Sequence, residues 1–156
     1  MEDLKKIDRP LFADYHERLL ASLDAMAKKE FRTCIRLTIV KGQNDGHIDQ
    51  YAQLIKRANP DFIEVKGYVH VGASKKIHKF QDMPWHHEIL EFSDKLSKEL
   101  GDYEVISVHE PSNVTCMIRK DLGKRGYIDF QRFFEIVNGG RIAKTEDYSS
   151  ERMCVN

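Results

Sequence analysis

Two short strand-like runs, residues 35–40 and 62–65, each lead into a Lys-Gly pair, Lys41-Gly42 and Lys66-Gly67, within an alternation of helical and strand periods. That repeat constrains the chain more than any other feature. Strand, crossover helix and second strand make up the unit from which parallel sheets are built. The carboxyl ends of such strands are where α/β folds gather ligands. In the first run Ile35, Leu37 and Ile39 alternate with Arg36, Thr38 and Val40. A parallel strand covered on both faces reads as continuously apolar. Arg36 and Thr38 therefore face either solvent or a functional interior. In the second run, taken as 61–66, Ile63 and Val65 lie on one side and Phe62, Glu64 and Lys66 on the other.

The rest of the chain supplies the remaining layers. A helix is predicted from Pro10 to Lys29, with Leu11, Tyr15, Leu19, Leu23 and Met26 on one stripe. Asp45 is a candidate cap for a second helix, which Asn59-Pro60 closes. Residues 67–83 form a long connection, a functional or mobile loop. Pro84 opens a third helix whose stripe is Trp85, Ile89, Phe92, Leu96 and Leu100, and Gly101 ends it. Strands at 103–108 and 114–119 are predicted to pair antiparallel across a short link. Asp129 caps a last helix carrying Phe130, Phe133, Phe134 and Val137, and a polar, loose tail follows from Lys144. The element order predicts a parallel α/β layer with a non-parallel appendage.

Composition narrows the function. The chain has 156 residues, enough for one domain with a real core, and 25 basic residues balance 25 acidic ones. There is no bulk electrostatic drive toward nucleic acid, although a local basic patch remains open. Cys34, Cys116 and Cys154 are scattered, with no C-x-x-C spacing, and read as thiols of a reducing compartment. The charged amino-terminal stretch is no signal peptide, and no run reaches membrane-span length, so a cytoplasmic location is expected.

The strand ends carry the candidate site: Lys41, Gln43, Asn44, Lys66, His70, His109 and Asn113. Glu64 and Lys66 point the same way. They pair in a cavity, orient a substrate, or make a solvent-facing ion pair. A lysine at such a position can also carry a Schiff base or grip a phosphate. Five histidines (His70, His78, His86, His87, His109) match no compact zinc motif, and no metal site is assigned. Two basic pieces, Lys75-Lys76 with His78-Lys79 and Arg119-Lys120 with Lys124-Arg125, bind RNA phosphates if the fold brings them together. Tyr68, Trp85 and Tyr127 are candidate stacking surfaces. The bland alternative is two solvated loops and core aromatics.

Six runs, in order, resemble one family: LKKIDRPLF at 4–12, RLTIVKGQN at 36–44, NPDFIEVKG at 59–67, MPWHHEILEF at 83–92, YEVISVHEPSN at 103–113 and IDFQRFF at 128–134. Together they are similar to the C-terminal portion of the radical S-adenosylmethionine enzymes that form the tricyclic wyosine base in tRNA. The resemblance implies the later half of a partial (β/α) barrel with a C-terminal α/β appendage. It divides the chain into a partial barrel segment (1–82), a wyosine-base-formation segment (83–143) and a polar tail (144–156). For a complete enzyme of this family, 4-demethylwyosine synthase of the carbon–carbon lyase class, it implies S-adenosylmethionine and a [4Fe–4S] cluster. The reaction condenses N1-methylguanosine-37 of tRNA-Phe with pyruvate.

The C-x-x-x-C-x-x-C cluster loop of that family has no counterpart here. The resemblance thus implies a truncated or split homologue that binds no cofactor and is inactive alone, with a separately encoded N-terminal half as a possible partner. A non-catalytic tRNA-binding remnant and a gene fragment without function are the alternatives. An unrelated α/β enzyme using Lys66 and His109 is a weaker one. By position, the resemblance implies cofactor-side roles for Arg36, Thr38 and Asn44 and catalytic roles for Glu64 and Lys66. It implies contacts to substrate or the tRNA anticodon loop for Lys75, Lys76, His109 and Asn113.

Overall fold

A computed structural model describes residues 10–151. Residues 1–9, which hold the start of the first family-like run, and Cys154 lie outside the described residues. The first helix, α1, is Tyr15–Met26. It is shorter than its apolar stripe suggests, because Leu11 and Phe12 are exposed and have no core to cover. Strand β1 (Cys34–Ile39), helix α2 (Ile48–Ala58) and strand β2 (Phe62–Gly67) follow as the expected unit. The two strands pair parallel, with Arg36 opposite Glu64 and Thr38 opposite Lys66. Asn59 ends α2 in the left-handed region at φ 45°, a conformation asparagine tolerates well. Asp45 does not cap α2. Its carboxylate accepts the Gly42 N–H at 3.0 Å and tightens the turn after β1 instead.

Helix α3 (His86–Leu100), strand β3 (Tyr103–His109) and strand β4 (Val114–Arg119) complete the sheet. The order is β1-β2-β4-β3, with β4 antiparallel to both neighbours. The non-parallel hairpin is therefore not an appendage. β4 inserts beside β2 and satisfies hydrogen-bonding groups that would otherwise end the sheet there. Strands from before and after residue 83 share one sheet, which among the described residues is open rather than closed into a barrel.

The helices cover one sheet face. Ile39, Ile63, Val65 and Met117 meet Ala52 and Ile55 of α2 and Ile89, Phe92, Leu96 and Leu100 of α3 in a single core. Tyr103 closes its lower end, donating its hydroxyl to the Pro60 carbonyl at 2.5 Å. Burial pushes that phenol up to about 12, so it stays a donor. Trp85, expected on the α3 stripe, stands outside it at 61% exposure.

Beyond β4, strand β5 (Tyr127–Ile128) and helix α4 (Phe130–Asn138) lead to helix α5 (Thr145–Tyr148) and strand β6 (Ser149–Ser150). Asp129 caps α4 as predicted, accepting the Arg132 N–H at 2.9 Å. Residues 144–150 are not loose. β6 pairs with β5, and the Tyr148 ring packs edge-on against Phe133 at 5.2 Å.

Candidate functional site

Period-two alternation sends Arg36, Thr38, Glu64 and Lys66 to the face away from α2 and α3, while Thr115 of β4 stays on the covered face, buried against Ser93 of α3. Cross-strand register then lines up Arg36, Glu64 and Cys116 in one row and Thr38, Lys66 and Val114 in the next. Glu64 and Lys66 do not pair with each other. Arg36 Nε donates to Glu64 Oε2 at 2.5 Å. Lys66 Nζ donates to the Ser112 carbonyl at 2.8 Å. Residues two apart on a strand are farther from each other than directly opposed cross-strand neighbours, so Glu64 takes Arg36. A cavity of about 360 Å³ opens on this face, lined by Cys34, Phe62, Glu64, Ser107, His109 and Cys116 among others.

The strand ends are held by side-chain hydrogen bonds. Asn44 folds back under β1, accepting the Val40 N–H at 2.7 Å and donating to the Thr38 carbonyl at 2.9 Å. Its amide thus holds the turn that carries Lys41, whose ammonium meets Glu88 Oε1 at 2.5 Å. That contact holds the Glu88 carboxyl below its ordinary range. Asn113, at φ 50°, donates to the Pro84 carbonyl at 2.7 Å, and its Oδ1 lies 3.2 Å from His86 Nδ1. A Cβ on Gly67 would sit 2.2 Å from Asn113 Nδ2, so a larger residue in this Lys-Gly pair must displace the Asn113 side chain. His109 ends β3, exposed, opposite Val114.

Residues 67–83 are an ordered loop with two short 3₁₀ turns, Gly72–Lys76 and Phe80–Asp82. A polar cluster that sequence reasoning missed pins it. The Tyr68 hydroxyl meets Ser74 Oγ at 3.1 Å and His70 Nδ1 at 3.2 Å. Gln43 Nε2 donates to His78 Nδ1 at 3.1 Å, and Asp82 accepts the Lys79 N–H at 2.8 Å. The tyrosine, serine and histidines of this segment were the available signal, but the pairing of His78 with Gln43 across the β1 turn is not local. Lys75 and Lys76 are exposed on this loop. Tyr68 is only 7% exposed, so it is not a stacking surface.

The second basic piece is not brought to the first. β4 runs antiparallel to β2, which puts Arg119 at the amino end of β2, opposite the end that leads to Lys75. There the Arg119 guanidinium is occupied by the Asn59 carbonyl at 3.0 Å, Asp61 at 3.3 Å and Asp121 at 2.7 Å. Lys120 Nζ donates to the Gly101 carbonyl at 2.6 Å. A larger cavity of about 450 Å³ opens at this amino end. Its acids (Glu30, Asp61, Asp121, Glu146) and bases (Lys29, Arg32, Arg125) nearly cancel, so the lining carries little net charge.

The described residues do not fit an iron–sulfur cluster. Among the described residues no three His, Cys, Asp or Glu side chains come together as a ligand set. Cys34 and Cys116 flank β2 on its two sides. Burial raises both thiols, Cys116 to about 11, whereas cluster ligands are thiolates.

Comparison with known proteins gives consistent matches. A family model described as "Wyosine base formation" matches residues 57–119. An S-adenosyl-L-methionine-dependent tRNA 4-demethylwyosine synthase of Oryza sativa subsp. japonica is 41% identical over 155 residues, 94% of this chain and 24% of that protein. The Homo sapiens TYW1 synthase is 39% identical over 158 residues, 94% of this chain and 22% of its own length. A solved TYW1 with a lysine–pyruvate adduct bound superposes with TM-score 0.69 at 33% identity, covering 78% of this chain and 38% of that one. An archaeal TYW1 crystal structure gives 0.60 at 30% identity, covering 78% and 36%. The chain spans about a quarter of the length of the curated relatives it matches.

Proposed function

This chain belongs to the S-adenosyl-L-methionine-dependent tRNA 4-demethylwyosine synthase family, and we propose that it is the substrate-aligning part of such an enzyme. The reaction we assign is condensation of N1-methylguanosine-37 of tRNA-Phe with pyruvate, in the cytoplasm. The observation that carries this reading is the part of the sheet face away from α2 and α3 where Arg36, Glu64 and Lys66 share two adjacent rows. In a family whose fold is a barrel, that face corresponds to the interior, and the chain reads as a later barrel portion.

Each residue has a definable role. Glu64 fixes Arg36 through Nε, and the guanidinium fork then faces an anionic carboxylate. Lys66 is committed as a donor to the Ser112 carbonyl. We therefore assign it to orienting an anionic group rather than to carrying an adduct such as the one in the solved relative. Thr38 and His109 complete the rim. Asn44 and Asn113 hold the strand ends in place, while Lys75 and Lys76 meet tRNA phosphates. Radical generation is left to a cluster-bearing segment supplied from outside the described residues.

Reconstitution tests the reading. The chain is mixed anaerobically with a cluster-loaded N-terminal half from its own source, S-adenosylmethionine, reductant, pyruvate and N1-methylguanosine-37 tRNA. Nucleosides are then analysed by mass spectrometry. Formation of 4-demethylwyosine only with both pieces is expected. No product from a verified, folded assembly overturns the aligning role. Salt-sensitive tRNA binding without product then supports a second reading, a non-catalytic tRNA-binding module, which the lysines on the ordered 67–83 loop favour.

A further inference from the structure

We propose that the loop between β2 and α3 is a stacking platform for unpaired RNA bases, with the rings of Phe80 and Trp85 as its two faces. The proposal rests on tRNA being the substrate, and it names where the RNA sits.

Both rings are displayed rather than left over. α3 buries Ile89, Phe92, Leu96 and Leu100, yet Trp85, just before it, is 61% exposed and Phe80 is 63% exposed. The stem under Trp85 is rigid. Its N–H donates to Glu88 Oε2 at 2.8 Å, and Lys41 holds the same carboxylate. Phe80 leans edge-on against His70 at 6.1 Å, and the turn behind it is closed by Asp82 on the Lys79 N–H. Rings on fixed stems lose little entropy on binding.

Charge selects the partner. The loop itself, residues 68–85, holds Lys75, Lys76 and Lys79 against Asp82 alone, a formal +2 in a chain whose total is zero. Cores of protein–protein interfaces are depleted in lysine. A lysine-rich surface bearing exposed flat rings is what single-stranded nucleic acid takes, phosphates on the ammonium groups and bases on the rings. Among the described residues the cation–π pairs involve Phe12, Phe31 and Phe62, not these two rings.

Trp85 is the sole tryptophan of the chain, so intrinsic fluorescence reports on this one position. The full chain is titrated at low salt with an anticodon stem-loop RNA, a single-stranded RNA heptamer and a duplex of the heptamer sequence. Binding is followed in parallel by anisotropy of labelled RNA. The stem-loop and heptamer should quench Trp85 and the duplex should quench far less. Phe80→Ala, whose side chain supports no core, should weaken heptamer binding about five- to a hundredfold with unchanged urea stability. RNA binding seen by anisotropy, with Trp85 fluorescence unmoved and Phe80→Ala silent, overturns the platform but leaves the tRNA reading standing. Equal quenching by duplex also overturns it. Absence of any RNA binding at low salt overturns the tRNA reading itself and the platform with it. Partition into anionic vesicles without RNA quenching would show the surface to be a membrane contact instead.

Discussion

Replacing Gly67 by alanine tests how the rim of the sheet is held. The new Cβ would lie 2.2 Å from Asn113 Nδ2, 2.9 Å from its Cγ and 3.1 Å from Pro84 Cγ. Asn113 must swing away, giving up its bond to the Pro84 carbonyl at 2.7 Å and its contact with His86 at 3.2 Å. Two hydrogen bonds at about 1 kcal/mol each, plus a partly desolvated carbonyl, make a loss of about 2–3 kcal/mol. Asn113→Gly removes the obstacle while keeping the left-handed backbone at φ 50°, and should cost about 1–2 kcal/mol. In that background the nearest remaining neighbour of the new Cβ is Pro84 Cγ at 3.1 Å, and the added cost should fall to about 1 kcal/mol or less. Urea unfolding of the four proteins, compared at constant m, gives the coupling directly. If Gly67→Ala costs the same with and without the Asn113 side chain, the steric argument for this Lys-Gly pair is refuted.

Three further predictions concern the site. Glu64→Gln should lower product yield in the reconstituted assembly while leaving the unfolding midpoint nearly unchanged, because its Arg36 partner is solvent-exposed; full yield at equal protein level sinks the assignment. Lys75→Ala with Lys76→Ala should weaken tRNA binding across sequences and reduce the steepness of its salt dependence; an unaltered low-salt isotherm removes this loop from the interface. The Glu88 carboxyl is lowered by its hydrogen bond from Lys41. A depressed carboxyl contributes stability that is full above its unfolded value of about 4.3 and is lost as pH falls through the lower folded value. Stability measured through the acid range should therefore decline less steeply in Glu88→Gln than in the parent; parallel curves would show that the pair contributes nothing.

Much of the local structure was legible because it depends on near neighbours. The strand at 114–119, the Asp129 cap and the helix stop at Gly101 follow from propensity, side-chain chemistry and backbone freedom at single positions. The shared face of Arg36 and Thr38, and of Glu64 and Lys66, follows from the period of a strand alone. So does the α3 stripe from Ile89 to Leu100, by the period of a helix.

Who meets whom across the sheet was decided only in three dimensions. Glu64 finds Arg36, 28 residues away, rather than Lys66 two residues away, because register depends on the pairing of whole strands. β4 slips between β2 and β3 and turns an expected appendage into the centre of one sheet. Tyr68 goes inside and Trp85 outside although the sequence offers both as candidate stacking surfaces. Each outcome is a competition for the same buried space or the same hydrogen-bonding edge. A linear pattern states which residues enter such a competition; the packing of the assembled layers decides which of them win it.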